Sequence, residues 1–168
     1  MIPRALVLAA VRRAIRPKTP LTVSAWADAH RILSGASSAE AGAWKTSRTP
    51  YLREIMDALS EMSPIRKVVF MKSSQVGGTE AGSNWLGYIM TYAKGPVAIV
   101  MPTEKSLQDW MSQKFDPMAK DTPAIAAVLA TRSNRAGDNS AFRKRFTGGI
   151  FYAKTAGSTA ELKSTSLR

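Results

Sequence analysis

One short segment of the sequence combines the residue types that bind phosphate groups. The common phosphate-binding loop reads G-x-x-x-x-G-K-[ST] and lies between a strand and a helix. The segment here runs Lys72-Ser73-Ser74-Gln75-Val76-Gly77-Gly78-Thr79. Gly77 and Thr79 stand at the usual second-glycine and hydroxyl positions, whereas Lys72 replaces the first glycine and Gly78 replaces the lysine. The segment predicts a phosphate-binding loop whose lysine has moved to its first position.

The exchange of lysine and glycine is compatible with phosphate chemistry. Because such a loop wraps one phosphate, its ends lie close together, and Lys72 can bring its ammonium group to the β- and γ-phosphates. Gly77 and Gly78 let the backbone approach the anion without a Cβ clash, and the N–H groups that open the next helix point at it. The Thr79 hydroxyl is a candidate Mg²⁺ ligand. The alternative is an ordinary glycine-rich turn between a strand and a helix.

The remaining residue types exclude several classes of site. The chain has no cysteine and one histidine, His30, which excludes a cysteine nucleophile, a zinc–thiolate site and a multi-histidine metal centre. Glu104 and Asp109 follow a predicted strand, but they fall on a predicted helix, and we interpret them as part of a solvated face. No apolar run approaches 18 residues, so we expect no membrane-spanning helix.

The charge of the chain indicates a polyanionic partner. Its 24 basic and 12 acidic residues give a net charge of +12. The excess lies at the two ends, because residues 1–20 carry five basic and no acidic side chains and residues 131–168 carry eight and two. Such asymmetry is typical of nucleic-acid binding. We predict DNA contacts from Arg143, Lys144 and Arg145, with the two arginines on one face of a strand and the lysine on the other.

The loop needs elements on both sides to position it. Residues 67–71 and 97–101 are short apolar runs rich in β-branched residues, the pattern of strands buried on both faces of a parallel sheet. With helices predicted over 80–92 and about 104–115, they predict an α/β fold with a parallel βαβ core and a right-handed crossover. Further predicted elements are a basic N-terminal arm over 1–21, N-terminal helices over about 22–33 and 50–61, a helix over 121–130 and a C-terminal hairpin over 143–153.

Together these segments resemble one protein family. The displaced Lys72 resembles the deviant loop of lambda-type tailed-phage terminase large subunits, the DNA-packaging motors, within the N-terminal part of their ATPase domain. The resemblance covers residues 22–168 and implies a partial P-loop NTPase (RecA-like) fold. Further segments that resemble the family are residues 26–28, 31–34, 44–57, 101–104 and 115–118.

The resemblance implies residue roles in binding ATP and Mg²⁺. Lys72 would contact the β- and γ-phosphates as the catalytic cation, and Thr79 would hold Mg²⁺. Tyr51 would lie near the adenine; the alternative is a core aromatic at a helix start. Gln75 stands where some terminases have an arginine proposed to act on the γ-phosphate, so that charge would have to come from elsewhere, such as a neighbouring subunit. The residues that would form the phosphate cradle are Lys72, Ser73, Ser74, Gln75, Val76, Gly77, Gly78 and Thr79.

The resemblance also implies the setting in which the chain works. It implies double-stranded DNA, the small terminase subunit, the portal and further copies of the chain as partners, in the cytoplasm of a bacterial host. The sequence has no apolar strand ending in an acidic pair and no nuclease domain, so we expect part of a longer motor that does not turn over ATP alone. The alternatives are a helicase-like NTPase and a non-catalytic DNA-binding fragment that also uses Arg132 and Arg135.

Overall fold

A computed structural model describes residues 20–36, 38, 40–130 and 140–157 of the chain. The basic N-terminal arm, except for its last two residues, lies outside these ranges. So do Arg132 and Arg135 and the end of the chain from residue 158. The described residues form helices around a small mixed sheet, which confirms the α/β class.

The N-terminal part consists of two helices and a short β-pair. Helix α1 begins after Thr22, whose side chain accepts a hydrogen bond from the Ala25 N–H at 3.3 Å, as is usual for a helix cap. It ends at His30, three residues before the predicted end, because the chain then enters a two-residue strand. The elements here are α1 (Val23–His30), β1 (Ile32–Leu33), β2 (Gly42–Ala43), a 3₁₀ turn (Thr46–Arg48) and α2 (Leu52–Ala58).

The helix that follows the predicted phosphate loop packs directly on α1. This helix, α3 (Gly78–Tyr88), continues as a π-helical turn (Ile89–Ala93). A Cβ on Gly87 would lie 2.2 Å from Cη2 of Trp26, which is 1% exposed. The absence of a side chain at Gly87 therefore allows the Trp26 ring of α1 to lie directly on the backbone of α3.

The second half of the chain forms a three-stranded mixed sheet with helices on it. Strand β3 (Val97–Met101) pairs in parallel with β5 (Gly149–Thr155), and β5 pairs antiparallel with β4 (Arg143–Phe146). The β4–β5 hairpin confirms the prediction made from the Gly148-Gly149 turn. The helical elements between β3 and β4 are α4 (Glu104–Trp110), a π-helical turn (Met111–Phe115), α5 (Asp116–Asp121) and α6 (Pro123–Ala130).

The predicted strand over residues 67–71 is wrong. The segment has no regular secondary structure, no strand among the described residues pairs with it, and Val69 and Met71 are 79% and 96% exposed. The parallel partner of β3 is β5, so the predicted βαβ pairing is also wrong. An apolar run becomes a buried strand only where neighbouring strands flank it. Here no strand of the described ranges flanks the segment, and a cleft of about 300 Å³ has Lys72 at the end of the segment, α3 and β3 on its walls.

The core joins the sheet to the helices on one of its faces. Phe151 of β5 is fully buried and stacks on Phe115 with ring centroids 4.8 Å apart, while Trp110 lies 6.3 Å from Phe151. Among the helices that the structure describes, none is long and apolar enough to cross a bilayer. The largest fully buried side chains are Trp26, Tyr88, Phe115, Phe146, Phe151, Leu52 and Met56.

Candidate nucleotide-binding site

The two ends of the predicted phosphate loop meet in the structure. The carbon stem of Lys72 lies against Gly78, because a Cβ built on Gly78 would be 2.5 Å from both Cδ and Cε of Lys72. The ammonium group of Lys72 is exposed and donates a hydrogen bond to the Ser73 carbonyl at 3.3 Å. Lys72, the first residue of the loop, thus lies beside Gly78, which stands at the position of the lysine in the common motif.

The backbone of the loop turns through two left-handed residues. Gln75 has φ +58° and Gly77 has φ +77°. A Cβ on Gly77 would lie 2.9 Å from Cδ1 of the buried Leu52, so both its conformation and its contact with α2 favour glycine. The Ala81 N–H donates to the Gly77 carbonyl at 2.9 Å. The amide groups between these residues belong to the first helical turn, where an α-helix has no acceptor for them.

A partly buried ion network holds the first turn of α3. Glu80 accepts from Arg31 at 3.0 Å through one carboxylate oxygen and from Lys114 at 3.2 Å through the other. The Arg31 side chain is 4% exposed and also donates to the Ile32 carbonyl. Burial lowers the pKa of Arg31 below its ordinary value, and the nearby Glu80 carboxylate opposes that shift. Arg31 and Lys114 thus hold the first turn of α3, whose N–H groups lie next to the loop.

The network was not identified as functional from the sequence. Arg31 and Lys114 are 49 and 34 residues from Glu80 along the chain. Helical periodicity and motif spacing are local signals, so they contain no information about these partners. The one local indication of a role for Glu80 was its place directly after Thr79, at the start of a predicted helix. An acidic residue there interacts favourably with the positive end of the helix dipole.

A cleft opens beside the loop on the side of Tyr51. It has a volume of about 280 Å³. Tyr51 is 55% exposed, and its hydroxyl donates to the Val76 carbonyl at 3.3 Å, so it is not the core aromatic that was the alternative reading. The Arg48 guanidinium pairs with Glu40 at the rim. Residues on the walls of the cleft include Trp44, Arg48, Tyr51, Gln75, Gly77 and Glu80.

The site fits a phosphate-bound Mg²⁺ ion better than a metal held by the protein alone. Thr79 is exposed at the first turn of α3, where its hydroxyl can reach an ion on a bound phosphate. Within the described ranges, no three side chains of His, Asp or Glu come together as a metal site. Mg²⁺ commonly keeps several waters and takes few protein ligands beside nucleotide phosphates.

The predicted DNA-contacting residues lie on the sheet, away from the loop. Arg143 pairs across the hairpin with Tyr152, Lys144 with Phe151 and Arg145 with Ile150. Directly opposed residues share a face, so Lys144 lies on the face of the buried Phe151, and the two arginines lie on the other face, as the alternation predicts. Arg132 and Arg135 lie outside the described residues.

Comparison with known proteins gives a consistent result. Residues 38–168 match the family described as phage terminase large subunit gpA, ATPase domain. The chain is 31% identical over 146 residues to the terminase large subunit of Escherichia phage lambda, a match that covers 87% of the chain and 22% of that protein. It is 28% identical over 142 residues to the terminase large subunit of Enterobacteria phage P21, covering 84% and 22%.

No solved structure shows a significant match to this chain. The chain spans 22% of the length of the two relatives. The family match, however, includes the whole segment from Trp44 to the hairpin, with the displaced lysine and its loop inside it. On this match over more than half of its length, the chain belongs to the ATPase-domain family of phage terminase large subunits.

Proposed function

We propose that this chain is the ATP-binding portion of a viral DNA-packaging motor. The observation that carries the proposal is the contact of the Lys72 stem with Gly78, which brings a cation to the start of α3. The first turn of α3, in which Thr79 is exposed and the first amide groups have no acceptor within the helix, supplies the second part of an anion site. Family membership supports the same conclusion.

Each residue has a distinct part in the proposed site. The Lys72 ammonium group binds the β- and γ-phosphates, while Gly77 and Gly78 keep the backbone open to them. Thr79 is the protein ligand of Mg²⁺, which when bound neutralises phosphate charge. Tyr51 lies at the cleft beside the loop and contacts the adenine. The remaining loop residues, Ser73, Ser74, Gln75 and Val76, wrap the phosphate through their backbone.

The proposal is tested by removing the Lys72 cation. A charge-assisted hydrogen bond contributes about 1.5–3 kcal/mol, so we expect Lys72→Ala to weaken Mg²⁺–ATP binding by about 10- to 100-fold. Isothermal titration calorimetry measures the affinity, and circular dichroism checks that both proteins are folded.

The matched control for this test is Lys67→Ala. Lys67 is an exposed lysine five residues before the loop. Its replacement changes the net charge equally, and we expect it to leave ATP affinity unchanged. Equal ATP affinity of the parent and Lys72→Ala would refute the proposed site. An equal loss of affinity in Lys72→Ala and Lys67→Ala would show that the loss comes from the change in net charge alone.

In the full-length protein, we propose that ATP hydrolysis at this site is coupled to translocation of double-stranded DNA. The partners proposed from the family are the small terminase subunit, the portal and other copies of the large subunit, in the cytoplasm of the host. The charge of +12 agrees with a role beside DNA.

A further inference from the structure

One face of the sheet is apolar and buried, and the other carries basic side chains. The face with Phe146, Phe151 and Ala153 is buried against the helices. Because Arg143 is paired with Tyr152 and Arg145 with Ile150, these side chains lie on the opposite face. This opposite face, which we call the basic face, consists of Arg143, Arg145, Ile150, Tyr152 and Lys154, with Ala98 and Val100 of the neighbouring strand.

The basic face is charged and partly exposed. Val100, in register with Lys154, is 45% exposed, and the side chains of the basic face on β4 and β5 are half-buried. Counted over residues 140–157, the hairpin region contains four basic residues and no acidic one. A groove of about 350 Å³ beside Tyr152 is also lined by Glu104, whose carboxylate accepts from Gln108 at 3.1 Å.

Tyr152 organises two of the cations. The guanidinium carbon of Arg143 lies 5.9 Å from the centre of its ring, and the ammonium nitrogen of Lys154 lies 5.6 Å from it. Cations within about 6 Å of an aromatic ring are attracted to its face. The ring therefore limits the motion of two long side chains. Because the cations occupy the ring, it is poorly placed to stack on a base.

We propose that the basic face binds the sugar-phosphate backbone of duplex DNA, independently of sequence, through Arg143, Arg145 and Lys154. The inference rests on the proposed packaging role, which brings DNA to this chain. Charge complementarity identifies the occupant, since three cations on one partly exposed face suit a row of phosphates. Tyr152 is a positioning residue that holds Arg143 and Lys154 toward the backbone.

The first test uses the salt dependence of binding. Duplex DNA of mixed sequence is titrated into the 168-residue chain at several salt concentrations. Neutralising about three phosphates gives a slope of log affinity against log salt near −2 to −3. We expect Arg143→Gln with Arg145→Gln to flatten that slope by about two, and Lys154→Gln by about one.

Two matched variants separate the basic face from net charge. Lys144→Gln removes a charge from the same strand on the opposite face, and Lys120→Gln removes an exposed one from α5. We expect both to leave the slope unchanged. An unchanged slope in the double arginine variant, or a flattening by Lys144→Gln as large as that by Lys154→Gln, would overturn the proposal.

The second test concerns Tyr152. Replacing it with leucine keeps apolar volume but removes the ring, so we expect duplex affinity to fall by about two- to fivefold, the loss of about 0.5–1 kcal/mol of cation–π interaction, with the salt slope unchanged. No change in affinity would refute its positioning role. A much larger loss for single-stranded than for duplex DNA would show base stacking instead.

The ATP site and the basic face are tested separately in the same proteins. We expect the variants of the basic face to bind Mg²⁺–ATP as the parent does, because Arg143, Arg145 and Tyr152 do not line the cleft beside the phosphate loop. Absence of DNA binding in a parent that still binds ATP through Lys72 would overturn the basic face alone. Loss of the Lys72 dependence with DNA binding intact would overturn the ATP site alone.

Discussion

The side chain of Lys72 and the missing side chain of Gly78 form one unit. The lysine stem occupies the space that a Cβ of Gly78 would enter, at 2.5 Å from two of its carbons. A lysine at the first position of the loop therefore depends on a glycine at the seventh. In the common motif the same two residue types are present with their positions exchanged.

We predict that Gly78→Ala weakens nucleotide binding without unfolding the protein. The new methyl group displaces the flexible end of Lys72, while alanine favours the helix by about 1 kcal/mol over glycine. Calorimetry of Mg²⁺–ATP binding should show a loss that approaches that of Lys72→Ala. In the double variant we expect no further loss, because both changes act on one cation. Fully additive losses would contradict the dependence.

Sequence reasoning identified the residues of the loop but not the residues that hold it. Lys72, Gly77 and Thr79 lie within eight positions, and a motif describes them completely. The ion pairs of Glu80 join residues from distant parts of the chain, where only the folded structure creates proximity. A role that depends on local spacing can thus be predicted from sequence, whereas a contact that depends on packing between distant segments cannot.

At the scale of elements, the phosphate-loop helix is positioned by contact with α1. Trp26 lies on the backbone of Gly87, and α1 is anchored in turn by hydrogen bonds from the Val23 and Ser24 N–H groups to Ser60 and Asp57. The two N-terminal helices therefore hold α3 in place, and with it the loop that precedes α3.

We predict that Gly87→Ala destabilises the fold. A methyl group 2.2 Å from the ring of the buried Trp26 forces the two helices apart, and overpacking of this kind costs about 1–3 kcal/mol. Urea unfolding followed by circular dichroism measures the free energy of unfolding. The control is Gly82→Ala in the same helix, where a Cβ meets nothing within 4 Å. That change should stabilise by up to about 1 kcal/mol, and equal effects at both glycines would contradict the prediction.

Element prediction succeeded where local chemistry decides the structure. Thr103 caps α4 through the Ser106 N–H at 3.1 Å, and the hairpin turns at Gly148, which has φ +100°. It failed over residues 67–71, because an apolar run shows what a segment can bury but not whether a strand is available beside it. It also missed the π-helical turns that continue α3 and α4.

At the scale of the whole molecule, Tyr88 lies near the centre of the core. It is 1% exposed, and its hydroxyl accepts from the Glu61 N–H at 3.2 Å. Burial raises the pKa of Tyr88 above its ordinary 10.0, with smaller contributions from the charges of Glu61 and Tyr92, while the Glu61 hydrogen bond opposes the shift. The folded state thus favours the neutral phenol.

This shift predicts how stability changes with alkaline pH. A pKa raised on folding gives a contribution that is complete below the unfolded pKa of about 10 and is lost as pH rises through the folded pKa. We expect the free energy of unfolding of the parent to fall more steeply above pH 10 than that of Tyr88→Phe. Near pH 7 the variant should be less stable by about 1 kcal/mol, for the lost hydrogen bond. Urea unfolding at a series of pH values measures both, and parallel curves would contradict the prediction.

The two ion pairs of Glu80 have a mechanical consequence for the proposed motor. Its carboxylate is tied to the end of α1 through Arg31 and to the π-helical turn after α4 through Lys114. A shift of the first turn of α3 must carry both neighbours with it or leave the buried Arg31 without its counter-charge, which is the costlier outcome. In the proposed motor, Glu80 would therefore be a linkage that couples a displacement of the first turn of α3 to both α1 and the turn after α4.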